Sequence, residues 1–182
     1  MKSSAGPKLQ AIGYWDEASI LAKRPDLGPD DAFVRFLARP HEAEARSGQP
    51  LLPHPNRLIE VLGHCSYDQR VLAYVDGGIE VAVCMGYSTC RCCDIADEEM
   101  GSRDLTDGTW VWPEGLSHYL RVHKLPLPNA FLQTMHENCH AVPILQQRER
   151  QGGWTTDYDF TFWHTWTAAV YTRIRSSSSA AT

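Results

Sequence analysis

No stretch of this 182-residue chain approaches the roughly 18 consecutive apolar residues of a membrane-spanning helix. Its opening residues, MKSSAGPKLQAIG, contain no apolar segment of signal-peptide length. Together these absences lead us to expect a soluble, cytoplasmic protein with no membrane partner. Positive charge is also short: 17 Lys and Arg face 22 Asp and Glu, a net charge of −5. Duplex binding depends on Lys and Arg neutralising phosphates, so this balance argues against a nucleic-acid partner. There is no internal repeat, and no G-x-S-x-G turn supports Ser117, beside His118, as a nucleophile.

What is present fits a globular protein. The length suits one domain, and a chain of this size buries about two thirds of its unfolded surface. It therefore needs no metal to replace a missing core. Six cysteines in a reducing compartment read as metal ligands or buried thiols rather than disulfides.

Residues 1–12 read as a flexible leader. Trp15 to Lys23 and Pro29 to Ala38 read as two short helices, the second with Phe33, Phe36 and Leu37 on one buried face. Four prolines in residues 39–55 suggest an extended connection. Pro55 then starts a helix through Leu62, and Ser66 caps another from Tyr67 to Val75, stopped by Asp76-Gly77-Gly78. Ile79 to Tyr87 alternates as a strand, with Ile79, Val81, Val83 and Met85 on one face.

Asp104–Thr106 and Thr109–Trp112 flank Asp107-Gly108, a strong hairpin signal because a tight turn needs positive φ. Pro113 and Glu114 fit the first turn of a helix that carries His118 and His123 and ends before Pro126. A further helix runs from Asn129 to about Cys139. Gly152-Gly153 breaks the chain, and Asp157 to Thr172, rich in Tyr, Phe, Trp and Thr, reads as one or two strands. A disordered tail follows over 175–182.

The most informative residues are two pairs. Cys90-Arg91-Cys92-Cys93 contains C-x₂-C, and His118 to His123 is H-x₄-H, with 24 residues between the pairs. Two thiolates and two imidazoles make the tetrahedral S₂N₂ set that suits Zn²⁺. On a straight helix His118 and His123 stand about 140° apart, so both reach one ion only if the last turn tightens or unwinds. Cys92 can replace Cys93 or remain a free thiol, with Arg91 favouring thiolate forms. The bland alternative is a pair of buried thiols beside two partly exposed histidines. Four protein ligands would close the site and make it structural.

Over residues 90–124, Cys90-Arg91-Cys92-Cys93 followed by Leu105 to Tyr119 resembles a motif of small, functionally uncharacterised bacterial proteins: Cys-Arg-x-Cys, then LTDGxWxWPEGLxHY. The resemblance implies a defined module and no activity. A DNA-reading finger has about 12 residues between its pairs and a basic helix. Here the linker is twice that and acidic.

The rival constellation is His136-Glu137-Asn138-Cys139-His140, which matches H-E-x-x-H. On a helix two such histidines bind zinc and the glutamate activates water, which would make a zinc-dependent hydrolase with His136, Glu137 and His140 catalytic. Pro143 and the missing G-x-x-H extension weaken it, and a surface helix end is the plain alternative. His136, Cys139 or His140 also remain candidates for a second metal, or for the place of His123 in the first. His164, among aromatics, reads as a core or rim histidine. The aromatic run is a core strand or the lining of a ligand pocket.

The reading is thus an α+β protein. N-terminal helices pack on a small antiparallel sheet, with a treble-clef-like or ββα zinc module at about 84–125, inside a single globular domain over 13–174. The leading function is a zinc-binding protein whose Cys₂His₂ site is Cys90, Cys93, His118 and His123. It is non-catalytic and binds a protein partner or a small-molecule ligand.

Overall fold

A computed structural model describes residues 8–16, 23, 52–84, 86–144 and 158–178, with side chains in the last segment to residue 172. The expected helix over Pro29 to Ala38, the Gly152-Gly153 break and most of the expected Trp15–Lys23 helix lie outside the described residues.

The elements are β1 (Gln10–Ala11), α1 (Pro55–Leu62), α2 (Gln69–Asp76), β2 (Ile79–Val83), a 3₁₀ turn (Asp97–Met100), β3 (Arg103–Thr106), β4 (Trp110–Pro113), α3 (Leu116–Arg121), α4 (Asn129–Glu137) and α5 (Thr161–Ser178). The architecture is α+β. The sheet is mixed, not antiparallel as expected: its order is β1-β4-β3-β2, and β1 lies parallel to β4. Among the described residues, no helix is long and apolar enough to cross a membrane.

Several elements follow their local chemistry. Pro55 sits at the start of α1, where its missing N–H costs nothing. The cap of α2 is Asp68 rather than Ser66; its carboxylate accepts from the Arg70 and Val71 amides. Asp107 closes the β3–β4 hairpin, accepting at Oδ1 from Thr109 N at 2.9 Å and Trp110 N at 2.7 Å, while Gly108 supplies the positive φ. β4 is central and reads Trp-Val-Trp because both sheet faces are covered. Trp110 and Trp112 enter the main core, and Val111 enters a smaller one with Leu9 and Ala11.

Other expectations needed correction. Gln10 and Ala11 form a strand where a loose leader was expected, and Leu9, Ala11 and Ile12 are buried. The pairing partner is 100 residues away (Gln10 opposite Trp110), so no local signal announces it. The alternation of β2 fails because its pairing with β3 slips between Glu80 and Ala82; Val83 is exposed and the strand ends there. Pro113 closes β4 instead of opening a helix. Glu114 turns back to accept from the amides of Ser102 and Arg103 and from the Arg103 guanidinium.

The largest correction is α5, an 18-residue helix where strands were expected, reduced on the strand side to one bridge between Gln10 and Asp159. Aromatic and Thr content favours strands, but Trp163, Thr167 and Val170 are buried at helical spacing. Thr167 returns its hydroxyl to the Trp163 carbonyl, a local bond that suits a helix. The helix packs on α1 and β1, and it takes in residues 175–178 of the expected tail.

Candidate metal centre

The cysteine loop follows β2 and precedes the hairpin, and α3 follows the hairpin directly. This order brings the two pairs together. One ligand atom from each of Cys90, Cys93, His118 and His123 lies within 4.8 Å of all the others. Cys90 Sγ and Cys93 Sγ are 3.6 Å apart, Cys90 Sγ and His123 Nε2 3.4 Å, Cys93 Sγ and His118 Nε2 3.4 Å, and the two Nε2 atoms 3.2 Å. Zn–S bonds of about 2.3 Å and Zn–N bonds of about 2.05 Å in a tetrahedron give edges of about 3.8, 3.6 and 3.3 Å for S–S, S–N and N–N. The observed edges fall in that order and within about 0.2 Å. The sulfur separation is far longer than the 2 Å or so of a disulfide.

His123 lies in the closing turn just beyond α3, which ends at Arg121. Val122 and His123 still donate to the carbonyls of His118 and Tyr119, but Lys124 then adopts φ 55° and the chain turns away. Both bonds reach four residues back and Val122 keeps helical angles, so the chain leaves the helical path only after His123. Burial is uneven: Cys90 is fully buried and belongs to the main core, His118 is 8% exposed, and Cys93 and His123 are half-buried.

The surroundings hold the loop in shape. Cys90 Sγ accepts from the Cys92 amide at 3.4 Å, and the Arg91 amide donates to the Tyr119 hydroxyl at 2.8 Å. Tyr119 is buried between the two histidines on the ligand helix, and burial pushes its hydroxyl pKa up. Lys23 Nζ donates to the Cys93 carbonyl at 2.7 Å and to Asp94 at 3.0 Å, bringing a cation beside the thiols from 70 residues away. The Cys92 thiol and the amides of Cys92 and Cys93 hold the Cys90 thiol well below the ordinary range, against the effect of burial. The Cys92 thiol is pushed up by its bond to Cys90 and by burial, and the Cys93 thiol by burial first.

Cys92 is not one of the four grouped residues. Its thiol donates to Asn56 Oδ1 on α1 at 2.9 Å. Tyr119, Lys23 and Asn56 were not singled out from the sequence. Lys23 and Asn56 lie far from the cysteines in the chain, and only the folded arrangement connects them.

His136, Glu137 and His140 occupy the end of α4. The helix stops at Glu137, and Cys139 and His140 both have positive φ (52° and 56°). The His140 amide closes the turn on the Met135 carbonyl. His140 is therefore off the helix, and the rings of His136 and His140 stand 6.1 Å apart. Glu137 accepts from Gln133, and Asn138 donates to the Tyr74 hydroxyl, which donates in turn to Asp107. Among the described residues, the only group of three or more potential ligands is Cys90, Cys93, His118 and His123. His164 is buried on α5 beside Phe160, away from that group.

No family model matches the chain, and no curated protein or solved structure matches it either.

Proposed function

We propose that Cys90, Cys93, His118 and His123 bind one Zn²⁺ in a closed site, and that the protein is a zinc-stabilised, non-catalytic module that binds another protein or a small ligand. The observation that carries this reading is the near-tetrahedral spacing of two thiol sulfurs and two imidazole Nε2 atoms. An S₂N₂ tetrahedron selects zinc over the oxygen-loving cations. Four ligands from the protein leave no position for water or substrate, so the ion stabilises and does no chemistry.

In this reading zinc joins the cysteine loop to α3 and so fixes the base of the β3–β4 hairpin. The order of knuckle, hairpin and helix over about 84–125 supports a treble-clef-like description. The two thiolates neutralise the ion, and Tyr119 and Lys23 brace the loop from the protein side.

The test is zinc content per chain in freshly purified protein and in Cys90→Ser, Cys93→Ser, His118→Ala and His123→Ala. One zinc per chain that falls in every variant supports the reading. Zinc that persists in the cysteine variants and disappears with His136→Ala or His140→Ala contradicts it.

A further inference from the structure

A second concave site lies beside the cysteine loop. It is a cleft of about 300 Å³ between the segment after β1, the loop after β2, and the turns on either side of the hairpin. Tyr14, Trp15 and Leu116 give it apolar walls, and Arg91, Arg103, Asp104 and Glu114 bring charge to it. Small-molecule sites combine this kind of lining with a few converging polar groups, and this volume is at their lower limit.

Three of the four charged groups are answered inside the protein. Arg103 and Glu114 form an ion pair, and Glu114 also accepts from the amides of Ser102 and Arg103. Asp104 accepts the Tyr158 hydroxyl at 3.1 Å. Arg91 differs. It is half-buried, and its Nε donates to the Asp16 carbonyl at 3.3 Å while Nη1 donates to Ser88 Oγ at 3.4 Å and to the Thr89 carbonyl. These acceptors are neutral, so they fix the plane of the guanidinium without answering its charge. Among the described residues no carboxylate forms an ion pair with Arg91. The three bonds use the Nε hydrogen and both Nη1 hydrogens, which leaves the two on Nη2. Nη2 is not among the buried atoms left without a partner, so it is open to an incoming group. A guanidinium fixed along one edge and open at its third nitrogen is a preset donor for an oxyanion. Asp104 and Glu114 on the same walls oppose a doubly charged one, so the fitting ligand carries a single negative charge.

We propose that this cleft binds a small monocarboxylate with an apolar body, its carboxylate on Arg91 Nη2 and its body against Tyr14, Trp15 and Leu116. The Arg91 amide bonds to Tyr119, so the ligand sits against the loop that carries Cys90 and Cys93. The proposal narrows the small-ligand reading above to one chemical class. The cleft is separate from the four grouped Cys and His side chains, and its occupation does not depend on their holding zinc.

The test is a charge series of matched probes on the full-length protein, followed by amide NMR shifts and Trp fluorescence. 3-Phenylpropionate, 3-phenylpropionamide and 3-phenylpropylammonium share a ring and a chain and differ in charge; 2-phenylethyl phosphate adds a dianion. The carboxylate should saturate, with shifts centred on residues 13–15, 88–91 and 100–104. The amide and the ammonium should each bind at least about tenfold more weakly, the scale of one charge-assisted hydrogen bond. The phosphate should bind no tighter than the carboxylate. Arg91→Gln removes the charge and should abolish the preference for the carboxylate over the amide. Tighter binding of the ammonium or the phosphate, equal binding of carboxylate and amide, an unchanged preference in Arg91→Gln, or no binding of the carboxylate up to about 10 mM, the weak-affinity limit, would overturn the proposal. The charge series on the unaltered protein stands even if the variant does not fold.

Discussion

His118 Nε2 and His123 Nε2 stand 3.2 Å apart although five residues and about 140° of helical rotation separate them. α3 ends at Arg121, between the two, and the chain turns away at Lys124, just after the second. The first imidazole is delivered by a helix and the second by the turn that terminates it. The closing turn of α3 thus contributes one of the four grouped side chains.

Cys93→Ser should lose zinc and stability together. Loss of a structural metal costs on the order of 3 kcal/mol or more, which for a chain of this size is a fall in melting temperature of about 6–12 °C. Calorimetry with and without a chelator checks this. In the unaltered protein the chelator should produce a fall of similar size, and in the variant little further change.

Glu137→Gln and His140→Ala should leave zinc content unchanged, because their helix ends before His140 and Glu137 is hydrogen-bonded to Gln133. Metal analysis of both variants beside the parent is the check. A loss of zinc in either would move the metal to α4.

The hairpin depends on one buried carboxylate. Asp107 is 3% exposed; one oxygen accepts two backbone amides and the other accepts the Tyr74 hydroxyl. Asp107→Ala leaves these donors without partners and should cost about 2–4 kcal/mol. Asp107→Asn keeps one acceptor and should cost less. Denaturant unfolding of the two variants distinguishes them.

Asp104 gives a pH signature of opposite sign to that of most carboxylates. Its folded pKa is raised by burial, so the folded state binds the proton more tightly than the unfolded state. Asp104 therefore removes stability as pH rises through the ordinary carboxylate range to the folded value. Asp104→Asn should raise the melting temperature at pH 7, and the gain should shrink as pH falls below that range. A variant less stable at pH 7 than at low pH, relative to the parent, would contradict this.

Local chemistry made part of this legible. Pro55 marked α1, Asp107-Gly108 marked the hairpin, and two residue pairs at metal-ligand spacing marked the four grouped side chains. What stayed hidden depends on distant partners. Gln10 and Ala11 become a strand only because β4 lies beside them. Trp163, Thr167 and Val170 make a helix of a segment whose composition favours strands, since their burial lies on one helical face. A cleft of about 300 Å³ lined by Tyr14, Arg91 and Asp104 joins residues from several separate segments, and no one of them carries its pattern.

The central claim is a single S₂N₂ zinc site, and X-ray absorption at the zinc edge on protein as purified tests it most directly. The account predicts one zinc per chain with two sulfurs at about 2.3 Å and two nitrogens at about 2.0–2.1 Å. Zinc surrounded only by nitrogen and oxygen, or a purified protein that carries and takes up none, would contradict it.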